Sequence, residues 1–130
     1  MRFLYLILLL SFTSYAFSQT EETCDCQKFK NGTFIIEDGA SEDYTIIRKG
    51  RKQIEIGESS GFKGVFKVKW IDDCTYTLRL KKIIKNPANE VYSKSMVVTV
   101  RIISCSGNTY VHESSVNGVL RYTSTMVKVK

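Results

Sequence analysis

Apolar and basic residues alternate between Phe62 and Trp70. Phe62, Gly64, Phe66, Val68 and Trp70 fall on one face of an extended chain, and Lys63, Lys67 and Lys69 on the other. A period of two belongs to a strand with one buried and one solvated face. The pattern returns after Asp72-Asp73, where Tyr76, Leu78 and Leu80 alternate with Thr77, Arg79 and Lys81, and again along Met96, Val98, Val100 and Ile102. Matching the first two apolar faces sets even positions opposite even positions, so Trp70 is expected beside Tyr76 and Val68 beside Leu78.

Beyond the first eighteen residues no stretch sustains an apolar period of 3.6, and there is a single proline, Pro87. β-branched and aromatic residues are frequent, and Ser106-Gly107-Asn108 and Asn117-Gly118 mark tight turns. Counting from Gly32-Thr33-Phe34, the chain reads as all-β, an antiparallel up-and-down meander of about eight strands forming a closed or partly open barrel. Eight strands suffice to close a small barrel, filled by side chains or holding one small ligand. A two-layer sandwich shares the same patterning.

The hairpin from Tyr44 to Gly57 turns at Lys49-Gly50-Arg51-Lys52. Either turn register puts Arg48, Gln53 and Glu55 on one face with Tyr44 and Ile46, and Thr45, Ile47, Ile54 and Ile56 on the other. If the isoleucines form the core, the polar trio is solvated and an Arg48–Glu55 pair is worth only about 0–1 kcal/mol. If the trio faces inward, it forms a polar wall in a cavity lined by Phe66, Trp70 and Tyr76, the mixture small-ligand sites use.

The first eighteen residues read as a cleaved export signal: Met1-Arg2 is a short basic start, Phe3–Leu10 an apolar run, and Ala16-Phe17-Ser18 a small-residue cleavage pattern. Residues 19–130 are then one domain, with an extended arm over 19–30, in a secreted or periplasmic setting. No later run approaches the roughly 20 apolar residues of a membrane-spanning helix, so no integral span is expected in the mature chain. In an oxidising compartment Cys24, Cys26, Cys74 and Cys105 are expected as disulfides. A Cys24–Cys26 ring would be very small, which favours pairing each with Cys74 or Cys105. Cys74 and Cys105 fall at the same end of the meander, so bridges to them would fasten the arm across one mouth. Zinc is disfavoured by the spacing, as Cys-x-Cys has no second close pair.

The net charge of +6 permits anionic partners without specifying one. Lys63, Lys67, Lys69, Arg79 and Lys81 project from one outer face, but the aromatics on which bases would stack lie on the inner face, so nucleic acid is not expected. His112 is the only histidine and has no nucleophile motif around it. Asp72-Asp73 are turn residues pointing apart. No catalytic residue, metal or cofactor is expected, and the chain does not read as an enzyme.

The segments CDCQKFKNGTF, RKGRKQIE and FKVKWIDDCTYTLRL resemble a group of small exported proteins of flavobacteria and relatives, lipocalin-like (calycin) barrels. The resemblance spans roughly Cys24 to Leu80 and implies an exported barrel with an Arg…Gln-x-Glu element at Arg48, Gln53 and Glu55. The Gly-x-Trp of true lipocalins has no counterpart at Asn31-Gly32-Thr33-Phe34. The resulting expectation is a barrel binding a small, largely apolar ligand. Phe66, Trp70 and Tyr76 would line the cavity, with Arg48, Gln53 and Glu55 orienting the ligand's polar end. The alternative is a structural or protein-interaction module of the cell envelope with a filled core and a basic outer face.

Overall fold

Eight antiparallel strands close into a barrel in a computed structural model that describes residues 23–37 and 44–130. The strands are β1 (Gly32–Ile36), β2 (Tyr44–Lys49), β3 (Lys52–Gly57), β4 (Lys63–Trp70), β5 (Thr75–Lys85), β6 (Val97–Ser106), β7 (Thr109–Val116) and β8 (Leu120–Lys128). Each pairs with its sequence neighbour, and β8 returns to β1 through Ile35↔Val127, so no long edge is exposed. The all-β up-and-down reading holds, and closure decides for a barrel over a sandwich. The expected leader over 1–18 and the start of the arm lie outside the described residues. Among the described residues no helix is long and apolar enough to cross a membrane.

Facing rules set the register where the alternation is clean. Trp70 pairs with Tyr76, Val68 with Leu78 and Phe66 with Leu80, even opposite even. The parity then slips: Val65 pairs with Lys82 and Gly64 with Ile83. This bulge swings Ile83 onto the inner aromatic cluster. A second irregularity between Ile102 and Ser104 pairs Cys105 with Tyr110. The three-residue β7–β8 turn carries Asn117 and Gly118 at positive φ (49° and 74°), a backbone that asparagine and glycine adopt most readily.

The two ends of the barrel differ. One end carries the β2–β3, β4–β5 and β6–β7 turns, and the N-terminal arm lies across it. A short 3-10 turn, Cys26–Phe29, is capped by the Asp25 side chain accepting from Gln27 N. Disulfides Cys24–Cys105 and Cys26–Cys74 tie it down. Phe29 is wholly buried among Cys26, Phe34, Ile46, Ile102, Tyr110 and Met126. Burying one such phenylalanine contributes about 1.5–3 kcal/mol. A second cluster, Phe62, Phe66, Val68, Tyr76, Leu78, Leu80 and Val100, runs along the inner face of β4, β5 and β6. The opposite end carries the turn after β3, the connection 86–96 and the β7–β8 turn.

Candidate functional site: a cavity above a polar plug

The β2–β3 hairpin faces its polar trio inward. Arg48 is 1 % and Gln53 2 % exposed, whereas Ile47 on the outer face is 37 % exposed. The register Arg48↔Gln53 and Ile46↔Glu55 stacks the trio up the inner wall.

Arg48 sits deepest, and all three of its nitrogens are engaged. Nε donates to Gln53 Oε1 (2.8 Å) and Nη1 to the main-chain carbonyl of Phe29 (2.7 Å). Nη2 donates to the hydroxyls of Tyr76 (2.8 Å) and Tyr110 (3.2 Å). The guanidinium lies between two rings, its Cζ 4.8 Å from the Phe34 centroid and 4.5 Å from that of Tyr76, a planar cation held by aromatic faces. Burial opposes the charge, but the Tyr76 and Tyr110 hydroxyls and the Glu55 carboxylate outweigh it and raise Arg48 above its ordinary value. Arg48 is therefore a permanent cation that bolts the arm to the barrel floor.

Above this plug is a cavity of about 250 Å³. Its apolar lining includes Ile46, Phe66, Leu78, Met96, Val98 and Val100, and its polar groups come from Gln53, Glu55, Tyr76, His112, Ser114 and Ser124. It runs from Tyr76 above the plug to Tyr44 and Tyr92 at the open end. Gln53 connects the two levels: its carbonyl accepts from Arg48 while its Nε2 donates to Glu55 Oε1 (2.9 Å). Burial raises the Glu55 carboxyl above the usual carboxylate range, only partly offset by the Gln53 hydrogen bond and the Arg48 charge. Its second oxygen has no hydrogen-bond partner among the described residues and is not sealed from solvent-sized space.

Of the six residues expected to bind ligand, Gln53, Glu55, Phe66 and Tyr76 line this cavity. Arg48 lies beneath it, committed to the plug. Trp70 is half-buried at the plugged end, its ring 4.6 Å from that of Tyr76 and 5.1 Å from the Lys30 ammonium. The four expected disulfide cysteines are paired, with Cys24 to Cys105 and Cys26 to Cys74.

His112 and Ser114 complete the far wall, with His112 Nδ1 3.0 Å from Ser114 Oγ. Sequence reading passed over them as lining, although Tyr110, His112 and Ser114 share a face by the same period of two. Asp72 acts as a turn residue, its side chain accepting from Cys74 N (2.9 Å), a bond that leads in holding its carboxyl below the usual range. Among the described residues no three His, Cys, Asp or Glu side chains gather where a metal could be held. The sequence matches no protein-family model and no curated protein.

Proposed function

We propose that this chain is an exported, disulfide-stapled barrel of lipocalin-like type that carries or senses one small, largely apolar ligand, and that it is not an enzyme. The carrying observation is the cavity of about 250 Å³ with apolar walls and a few convergent polar groups, above a floor that Arg48 seals. That volume lies just under the roughly 300–1,000 Å³ of drug-sized sites, so the ligand is small. The two disulfides support an oxidising destination. Native mass spectrometry of the purified protein, followed by a screen of small apolar amines, alcohols and fatty acids, tests the reading. A retained or captured ligand, lost on filling the cavity with Val98→Phe, is expected. An empty protein with no hit in the screen counts against it.

A second reading has its own observation. Lys52 pairs directly with Lys67, and Lys67 with Arg79, across β3, β4 and β5. None of the three has a carboxylate within ion-pair distance among the described residues. Such a row suits contact with an anionic envelope component, and salt-sensitive binding to anionic vesicles that disappears in Lys67→Glu would favour it.

A further inference from the structure

Among the described residues the cavity lining holds one carboxylate, Glu55, one imidazole, His112, and no lysine or arginine. This inverts the character of a chain whose net charge is +6. The Arg48 cation is turned away from the cavity, its nitrogens given to Gln53, Phe29, Tyr76 and Tyr110. Gln53 stands between it and Glu55, whose second oxygen has no hydrogen-bond partner among the described residues.

Aromatic residues line the same cavity as that carboxylate. Gly64 lies directly opposite Glu55 on β4. A Cβ on Gly64 would come within 2.7 Å of the Phe62 ring and 3.2 Å of the Phe66 ring, so the missing side chain lets both rings close in beside Glu55. Phe62 stacks on Tyr92 at 4.9 Å, and the Tyr92 hydroxyl donates to Glu90 Oε2 (2.7 Å) at the rim. Tyr44, Phe66, Tyr76 and Tyr92 all reach the cavity. A half-buried carboxylate in an aromatic-lined cavity is suited to a positively charged nitrogen, which gains a charge-assisted hydrogen bond and cation–π attraction. A carboxylate ligand would meet repulsion there, and an alcohol would use only the hydrogen bond.

We propose that the ligand carries an ammonium group, held by Glu55 within the ring faces of Tyr44, Phe66 and Tyr92, with its apolar body against Leu78, Val98 and Val100. This deepens the cavity-binding reading and rests on it.

Calorimetric titration of the folded, oxidised protein with hexylamine, hexan-1-ol and hexanoate tests the proposal. Hexylamine is expected to bind about tenfold more tightly than hexanol, and hexanoate most weakly. Glu55→Gln, which keeps the shape and the Gln53 contact, is expected to remove the preference for the amine over the alcohol. Equal amine and alcohol affinities in the unaltered protein, or a preference for hexanoate, would overturn the ammonium assignment and leave cavity binding standing. Failure of all three probes to bind would remove the cavity reading and the assignment together.

Discussion

Arg48 Nη1 donates across 2.7 Å to the main-chain carbonyl of Phe29, joining the barrel wall to the arm that closes it. That carbonyl has left its place in water, and so have the hydroxyls of Tyr76 and Tyr110. Arg48→Met keeps much of the volume and strands all of these groups, which is expected to cost about 3–5 kcal/mol of stability. Arg48→Lys is expected to recover only part, since one ammonium cannot span the carbonyl and both hydroxyls. Urea unfolding measures both variants; a loss under about 1 kcal/mol for Arg48→Met would show that the plug holds without its bolt.

The two disulfides close loops of comparable entropy, at separations of 81 and 48 residues. They differ in shelter: Cys26 is buried, whereas Cys24, Cys74 and Cys105 are partly exposed. Limited reduction with alkylation and mass mapping is expected to open Cys24–Cys105 first. Replacing Cys26 and Cys74 together by alanine is expected to cost about 2–4 kcal/mol and to loosen Phe29. Opening of Cys26–Cys74 first would contradict this order.

Glu55 gives a pH signature of unusual sign. Its folded pKa is raised by burial, so on raising the pH the unfolded chain loses this proton first, near the ordinary value of about 4.3. Stability from this group is then greatest in acid, falls as the pH passes from the unfolded to the folded pKa, and stays flat above. Among the described residues, Arg48, Tyr44, Tyr76, Tyr92, Tyr122 and His112 are charged or titratable groups that share its surroundings. Glu55→Gln is expected to melt higher than the unaltered protein at pH 7, with the difference closing towards pH 4. A lower melting temperature at pH 7 would mean that attraction to Arg48 outweighs the burial cost.

The row Lys52–Lys67–Arg79 sets like charges directly opposite one another on three strands, an arrangement that weakens a sheet. Lys67→Glu places an acid between two bases. A stabilisation of about 0.2–1 kcal/mol is expected, vanishing at about 1 M salt, where the screening length falls to about 3 Å. No change at low salt would show that the side chains already splay apart.

Alternation made the strands of this barrel legible, and parity alone placed Trp70 on Tyr76 and Val68 on Leu78. It could not say which face of Tyr44–Gly57 looks inward. Both faces hold β-branched residues, and what draws Arg48 in is the Phe29 carbonyl, delivered by a disulfide-tied arm far away in sequence. The same non-local tie hid the division of labour within the trio, with Arg48 serving the floor and Glu55 the cavity. The slip that turns Ile83 inward has no marker in Leu80-Lys81-Lys82-Ile83, where β5 takes up one extra residue, Lys81, between the partners of Phe66 and Val65. Disulfide partners were equally unreadable, since Cys24 and Cys26 are two residues apart and reach the same end of the barrel.

Among the described residues, the two disulfides and the Arg48 hydrogen bond that hold the arm are gathered at one rim, at Cys74, Cys105 and Arg48. The opposite rim is made of connections such as 86–96 that carry none of these ties. The molecule can therefore exchange its mouth without renegotiating its foundation. Loops grafted there would vary what enters, while the riveted base keeps the strand order intact.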